Sequence, residues 1–274
     1  MYMHSTGRQD AASALVSVPP TRVFRAVLQG AASLAWRNRR IRLDEDAWLV
    51  LDGRETCSVQ LDPELRTRML VVIVSHDDCH AALAGVPAAP GESTAWPAEL
   101  AFADNLRARD GPAGRRLIAI TRGRDGGWSE VEERGQRLEL VREACAEELA
   151  LRRKAARIDC VKPATREQLL RRILLAADFI ASRHDEPISL DEMARAASLS
   201  RFHFVRLFSL VHGETPHAFL RRKRTAVARR HLAGGRACSE AASRAGFGSR
   251  SSLFRNLRKT APADAGSESC SRSA

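Results

Sequence analysis

The sequence predicts an α+β protein with a β-rich, barrel-like N-terminal half and an all-helical C-terminal half. Short runs of β-branched and apolar residues fill residues 23–74, as in small antiparallel sheets. Helix caps and apolar residues at helical spacing dominate from residue 165 onward. The charge divides at the same point, since residues 162–274 hold 21 Lys and Arg against 10 Asp and Glu, whereas residues 1–161 hold 23 of each. The net charge of +11 therefore lies entirely on the helical half.

Length, composition and cysteine spacing limit the classes of protein. A chain of 274 residues has room for two domains of ordinary size. No run of 18 apolar residues predicts a membrane span, and the polar N-terminus shows no secretory signal. The six cysteines are then expected to stay reduced, and no C-x-x-C pair indicates a zinc ribbon or a redox motif. We therefore expect a cytoplasmic protein that binds no membrane.

The strands of the N-terminal half are predicted from four short extended runs. Asp52-Gly53 supplies a turn signal between the second run and the third. The last run is continuously apolar, as in a buried strand. A small antiparallel barrel or sandwich accounts for this pattern. The predicted strands are 23–28, 48–51, 57–61 and 69–74.

Between this sheet and the helical half, the sequence changes to helix and loop patterns. A helix is expected to start after His76-Asp77-Asp78, because acidic residues favour a helix N-terminus. Glycine and proline mark 85–97 as a loop, and 110–127 is punctuated by glycine around one short apolar run. Residues 130–157 are almost all helix formers, with a stripe that could pack on the barrel or on a second copy of the chain. The stripe consists of Leu138, Val141, Cys145, Leu149 and Leu151.

Capping pairs predict where the C-terminal helices start. Thr165-x-x-Gln168 and Ser189-x-x-Glu192 both fit the capping box, in which each side chain bonds a free backbone N–H of the first turn. Thr215-Pro216 predicts another start, because proline suits the first helical position. This last helix is long and basic and is expected to end at Gly234-Gly235.

Residues 189–208 have the layout of a helix-turn-helix. A short helix is followed by a tight turn at Ser198-Leu199 and by a second helix capped by Ser200. A looser unit of the same kind ends in residues 246–255. Such units lay one helix in the major groove of DNA, and clustered positive charge is expected for phosphate binding. An arginine-rich solvated surface is the alternative, but it does not explain why acids balance bases in one half only.

Residues 166–265 resemble the AraC/XylS family of bacterial transcription regulators. The family is indicated by Leu190-x-x-Met193-Ala194, Leu199-Ser200-Arg201-x-x-Phe204-x-Arg206-Leu207-Phe208, Gly213-x-Thr215-Pro216-x-x-Phe219-Leu220, Arg224-x-x-x-Ala228-x-x-x-Leu232 and Ala245-Gly246-Phe247-x-Ser249-x-Ser251-x-Leu253-x-Arg255. Residues 23–80 also look like the barrel-shaped, cupin-like sensor half of some of these regulators. The resemblance implies two helix-turn-helix units joined by a long helix. It does not identify an effector.

The resemblance implies that two recognition helices enter successive major-groove segments of DNA. Arginine can pair with a guanine edge, serine with either kind of base, and Phe202 with a thymine methyl group. Core packing is the alternative for Phe202, and phosphate contact is the alternative for Arg206 and Arg250. The implied DNA-reading residues are Ser200, Arg201, Phe202, Val205, Arg206, Arg250, Ser251, Ser252 and Arg255. The implied phosphate contacts are Arg221, Arg222, Arg224, Arg258 and Lys259.

The second unit departs from the family pattern. Cys238 and Ala241 stand where the family usually has Ile or Val, and the stretch at 260–262 is about three residues short of the family's. Small-for-large changes in a core cost about 1 kcal/mol or more each. We therefore expect a softer second unit that contributes less to DNA affinity.

Three other functions remain open from the residues. A nucleoid protein would bind DNA by charge alone, and only a comparison of specific with random DNA separates it from a regulator. A metal-dependent barrel enzyme would need several converging ligands, for which only His76 and His80 are suitably spaced. A methyl-accepting repair protein would need an activated cysteine, and no motif surrounds any of them. We expect no enzyme activity, no cofactor and no metal.

The resulting prediction is a cytoplasmic, nucleoid-associated transcription regulator that binds promoter or operator DNA. On the resemblance, activation is favoured and RNA polymerase is an expected partner. A homodimer and control by an unknown small-molecule effector on the N-terminal domain are further expectations. The expected domains are a flexible lead at 1–20, a β-rich sensor domain at 21–128, a helical dimerisation or linker segment at 129–160, a tandem helix-turn-helix domain at 165–265 and a disordered tail at 266–274.

Overall fold

An antiparallel β-rich N-terminal region is followed by a helical C-terminal region, as the sequence predicts. A computed structural model describes residues 21–62, 66–84, 102–159 and 162–259. The predicted lead, the loop at 85–97 and the tail lie outside the described residues. In the part of the chain that is described, no helix is long and apolar enough to cross a membrane.

Two antiparallel sheets make up the N-terminal region. One sheet has the strand order β6-β1-β4-β7 and the other the order β3-β2-β5. The four predicted strands are confirmed as β1, β4, β5 and β6, each within a few residues of its predicted bounds. The strands are β1 Arg22–Gln29, β2 Ala31–Trp36, β3 Arg39–Asp44, β4 Ala47–Asp52, β5 Ser58–Leu61, β6 Arg68–Val74 and β7 Arg107–Ala108.

The hairpin of β2 and β3 was not predicted, and its turn explains why. Arg37 and Asn38 both have positive φ, at 45° and 60°. Two such residues form the tight turn that matches the twist of a hairpin, but the usual signal is Asn-Gly or Asp-Gly. Arginine at a left-handed position gives no such signal, so the register of Trp36 opposite Arg39 is evident only from the structure.

Alternate side chains of β1 and β4 supply two separate cores. Phe24 and Trp48 are fully buried against the helices of the N-terminal region. Val27 and Leu49 point the other way and are buried with Leu34 between the sheets. The four-stranded sheet is therefore covered on both faces, which explains the unbroken burial of β4 up to Leu51.

Three helices cover the outer face of this sheet: α1 His76–Leu83, α2 Pro112–Asp125 and α3 Glu130–Ala156. The helix α2 occupies most of 110–127, the segment for which the sequence showed only glycines around one short apolar run. A Cβ atom on Gly114 would collide with the Arg109 carbonyl, and one on Gly123 with the Trp128 ring. These glycines therefore permit close packing within and beside a helix, rather than marking a loop.

The long helix α3 belongs to two cores. Val141 and Cys145 of its predicted stripe are buried against the sheet, while Ala155 and Ile158, at and just beyond its end, are buried in the core of the C-terminal helices. Its buried Glu148 pairs with Arg107 of β7. All of the stripe except Leu149 thus packs in the chain's own cores, and the dimerisation role of segment 129–160 stays a prediction.

The C-terminal helices follow the predicted order, with one corrected start. They are α4 Pro163–Ser182, α5 Leu190–Ala196, α6 Arg201–His212, α7 Pro216–Ala233, α8 Cys238–Arg244 and α9 Arg250–Lys259. The capping box at Thr165 was wrong, because Pro163 is the first helical residue and Lys162 is the N-cap, where no side chain makes the capping hydrogen bond. The caps at Ser189 and Thr215 and the end of α7 at Gly234 are confirmed.

The turn between α8 and α9 packs tightly against the loop that follows α4. Gly246 has φ 78°, and a Cβ atom there would lie 2.5 Å from the His184 carbonyl oxygen and 2.8 Å from Asp185 Cα. Gly235 has the same φ of 78° but nothing within 4 Å of its Cβ position. The two glycines share a backbone conformation and differ in their surroundings.

We expect Gly246→Ala to destabilise the chain more than Gly235→Ala does. Both alanines carry the left-handed strain of about 1 kcal/mol, but only the first adds an overpacking cost of about 1 to 3 kcal/mol. Urea unfolding of the two full-length variants measures the difference. Equal losses would show that the contact of the α8–α9 turn with His184 is not tight.

Candidate nucleic-acid interface

The first helix-turn-helix unit, here called the first reading unit, consists of α5, a turn and α6. Ser189 and Glu192 form the capping box of α5, and the Ser200 hydroxyl accepts a hydrogen bond from the His203 N–H at 3.4 Å to cap α6. Between the helices, Ser198 adopts a left-handed φ of 51°, which allows the abrupt change of direction. The local sequence therefore specifies both helix starts and the angle between the helices.

The helix α6 separates an apolar face from an exposed one. Phe204 and Phe208 are fully buried in the core shared with α4 and α5. Phe202 is 80% exposed, and Arg206, about one turn later on the same helix, is also exposed. The core-packing alternative for Phe202 is thereby excluded, and the exposed ring is available to a partner.

The other predicted DNA-reading residues at the start of α6 make contacts within the chain. Arg201 forms a two-pronged ion pair with the carboxylate of Asp191 on α5. Val205 is half-buried and packs against the core. Ser200 acts as the helix cap, and His203, which was not among the predicted residues, is exposed in the same first turn. The structure thus presents Phe202 and Arg206 more openly than Arg201, Val205 and Ser200.

The second reading unit displays its predicted residues on α9. The Ser249 hydroxyl accepts a hydrogen bond from the Ser252 N–H at 3.1 Å and caps the helix. Leu253 is fully buried, whereas Ser252 is half-buried. The predicted residues that α9 exposes are Arg250, Ser251, Arg255, Arg258 and Lys259.

The cores of the two units differ in the size of their side chains. The first unit packs large residues such as Phe204, Phe208 and Ile173. The second unit depends on Phe247 and Leu253 among small residues, which include Ala228, Ala241, Ala242 and Ala245. Its first helix α8 also has Ala237 as its N-cap, which makes no side-chain capping hydrogen bond, whereas α5 has a full capping box. A missing cap costs about 1 kcal/mol, so both observations support a softer second unit.

Some of the arginine side chains of the joining helix α7 form contacts within the chain. Arg222 donates to Glu214 at 2.9 Å and lies over the Phe219 ring. Arg224 donates to the carbonyl oxygens of His184 at 2.6 Å and Glu186 at 2.7 Å, in the loop before α5. Arg221 is exposed. A phosphate contact by Arg224 would break these hydrogen bonds, whereas Arg221 can meet phosphate without such a loss.

The residues considered for metal or thiol chemistry are placed in ordinary packing. The rings of His76 and His80 lie 4.3 Å apart, and within the described residues no group of three or more His, Cys, Asp or Glu could hold a metal ion. Burial raises the pKa of Cys79 to about 11 and that of Cys145 to about 12. A methyl-accepting cysteine needs the opposite shift.

An aromatic cluster fixes α6 against α7. His212 lies 4.4 Å from the Phe208 ring and 5.3 Å from the Phe219 ring, and its Nε2 is shielded from solvent without a hydrogen bond. Burial lowers the pKa of His212 to about 4, and repulsion from Lys154 and Arg222 adds to the effect. The folded state therefore holds this ring neutral.

We expect the neutral His212 to make the fold sensitive to acid. Its pKa is about 6.5 in an unfolded chain, so the stabilisation is complete above that pH and is lost as pH falls toward 4. The loss at pH 4.5 amounts to about 2 to 3 kcal/mol. Urea unfolding at pH 7 and pH 4.5 should show a smaller acid loss in His212→Phe. The exposed His217 provides the control, since His217→Phe should keep the wild-type loss; equal losses in all three proteins contradict the argument.

Comparison with known proteins gives one match in the C-terminal half and several distant structures. No curated protein matches the chain. Crystal structures of ToxT from Vibrio cholerae align at 12% identity over 88% of this chain and 85% of that chain with a TM-score of 0.33, and at 11% over 89% and 86% with a TM-score of 0.36. ToxT bound to an unsaturated fatty acid aligns at 11% over 89% and 84%, with a TM-score of 0.30.

The matching family model is described as a helix-turn-helix domain and covers residues 193–262. This segment runs from Met193 in α5 through α9, so it contains the first reading turn, α6, the joining helix and the whole second unit. The assignment agrees with the geometry of both units and with the residue pattern of the C-terminal half. Residues 193–262 therefore form a helix-turn-helix domain.

Proposed function

We propose that this chain is a sequence-specific DNA-binding transcription regulator that places α6 and α9 in successive major-groove segments. The observation that supports this most directly is the pairing of two capped helices, each with a buried apolar face and an exposed basic face, at opposite ends of α7. A helix of this kind fits the major groove, and two of them on one rigid connection read two segments.

The exposed residues divide into base readers and phosphate contacts. Arg206 and Arg255 would pair with guanine edges, and Phe202 would contact a thymine methyl group. Arg201 would contact a base only after its ion pair with Asp191 breaks. Val205 would contact a base only through the exposed part of its half-buried side chain. Ser200, Arg250, Ser251 and Ser252 complete the proposed reading set. The proposed phosphate contacts are Arg221, Arg222, Arg224, Arg258 and Lys259, with Arg224 the most constrained by its own fold.

The regulatory part of the proposal depends on the family resemblance. We propose activation, contact with RNA polymerase and a cytoplasmic, nucleoid-associated location. A homodimer is part of the same proposal, although the apolar stripe of α3 is already packed within the chain. Mapping the sites that the chain occupies on its own genome, together with the transcripts that change on its deletion, tests activation directly.

A cleft beside α7 is the proposed place for a small-molecule effector. Its volume is about 990 Å³, and it lies between α2, the turn from β3 to β4, and α7. Trp128 and Ile118 line it from the N-terminal region, and Arg222 and Ala226 line it from α7. Because both halves contribute, a molecule bound there would contact the sensor region and the joining helix at once.

We expect Arg206→Ala to weaken operator binding more than Arg255→Ala does. Each change removes one reading arginine, worth about 1 to 3 kcal/mol at a good contact, but the second unit is less firmly packed. Titration of the full-length variants against the same selected operator at one salt concentration measures the difference. Equal losses would contradict the unequal contribution of the two units.

A regulator and a nucleoid protein differ in their preference for an operator over random DNA. We expect the selected operator to bind about 10³-fold or more tighter than random duplex at equal salt. With about eight phosphates contacted, log affinity should fall with log salt at a slope of about −7. A specificity ratio near one, with this slope intact, would favour the nucleoid alternative.

A further inference from the structure

The turn from β3 to β4 carries three consecutive acidic residues that meet cations of α7. We define this acidic turn as Asp44, Glu45 and Asp46. Lys223 Nζ lies 2.7 and 2.8 Å from the two Asp44 carboxylate oxygens and 3.3 Å from Asp46 Oδ2. Arg230 Nη2 lies 2.5 Å from Asp46 Oδ2 and 3.7 Å from Asp44 Oδ2, and Arg230 Nη1 is 4.0 Å from Glu45 Oε2.

These contacts are largely shielded from water. The side chains of Lys223 and Asp44 are 11% and 9% exposed. Burial by itself would raise the pKa of Asp44, but Lys223 and Arg230 outweigh it and lower the pKa to about 2. The cluster therefore stays ionised, and removing one partner would leave a buried charge unpaired.

The acidic turn is positioned by the N-terminal region without help from α7. Glu45 Oε1 accepts from the Gly30 N–H at 2.8 Å, and Arg109 Nη1 donates to the Glu45 carbonyl oxygen at 2.7 Å. The Arg109 N–H also donates to the Asp46 carbonyl oxygen at 2.9 Å. A preorganised group of three carboxylates is thus presented to the helix that joins the two reading units.

A second contact holds the same strand on the helical half. Arg39 Nη2 on β3 lies 2.5 Å from Asp178 Oδ2 on α4, and the Ser182 hydroxyl accepts from the Arg42 N–H at 3.1 Å. This contact keeps β3 docked while leaving the cations of α7 to the acidic turn. The two contacts can therefore be changed separately.

We propose that the acidic turn is an autoinhibitory contact that occupies Lys223 and Arg230 in place of DNA phosphates. Three carboxylates face two cations, so the turn neutralises this part of the basic half, and Glu45 and Asp46 line the same cleft as Arg222, one of the proposed phosphate contacts. DNA presents one phosphate charge per about 1.7 Å of its axis and competes for the same cations. Release of the turn adds these two cations to the phosphate-binding surface. This inference rests on the proposed DNA-binding function.

The test is the salt dependence of binding to a random-sequence duplex by the full-length chain. Each added phosphate contact steepens the slope of log affinity against log salt by about 0.9, so Asp44→Asn with Asp46→Asn should steepen it by about 1.8. Between 50 and 200 mM salt the variant should then lose about tenfold more affinity than the wild type. An unchanged slope would overturn the proposal.

Two further variants assign the effect to the acidic turn. Glu55→Gln with Asp62→Asn makes the same change in net charge but affects pairs with Arg37 and Arg42 within the N-terminal region. It should keep the wild-type slope, and a slope steepened as much as in the first variant would attribute the effect to net charge alone. Adding Lys223→Gln and Arg230→Gln to the turn variant should return the slope to the wild-type value; a retained increase would overturn the proposal.

Folding is checked by thermal unfolding of each variant, and Asp46→Asn alone serves if the double variant does not fold. Asp46 is 23% exposed, so its replacement disturbs the core less, and about half of the slope change is expected. If the wild-type protein binds no duplex DNA, the proposed function itself is wrong. If it binds, and all variants have the same slope of log affinity against log salt, only the autoinhibitory contact is wrong.

Discussion

The arrangement of the whole molecule depends on the burial of α3 in two cores. Its middle buries Leu140, Val141 and Cys145 against the four-stranded sheet, and its end contributes Ala155 to the core around α4 and α6. A single helix of 27 residues therefore fixes the position of the first reading unit relative to the sheet. Neither core can be disturbed without affecting the other, because apolar surface on the same helix would be exposed to water.

Around that helix, charge determines how the two halves meet. The basic C-terminal half and the neutral N-terminal half do not repel each other, since acidic groups of the sheet are concentrated where α7 is most positive. Lys223 and Arg230 meet the acidic turn, and Asp178 meets Arg39 in the opposite sense. Pairs of this kind are favourable only when their geometry is good and their desolvation is offset by hydrogen bonds. The contacts therefore give a defined docking position as well as attraction.

The two reading units have the same arrangement of helices but differ in the packing of their cores and in the capping of their helices. Aromatic rings, the half-buried His212 and a capping box on α5 support α6, whereas alanines and an uncapped α8 support α9. Gly246 partly compensates, because its lack of a side chain lets the second turn pack directly on the loop after α4.

Much of the helical half could be predicted from local sequence, because caps such as Ser189 and Thr215, the spacing of Phe204 and Phe208, and the position of Pro216 act within a few residues. The DNA-facing residues of α6 were expected from the family resemblance. The β2–β3 hairpin and α2 could not be predicted, since Arg37 adopts a left-handed turn conformation, and Gly114 and Gly123 pack closely against Arg109 and Trp128 instead of interrupting the helix. The pairing of Asp44 with Lys223 joins residues 179 positions apart. Local sequence thus determined which helices of the C-terminal half form, and the tertiary structure alone decided which charged side chains pair within the molecule, because that pairing depends on distances across the fold.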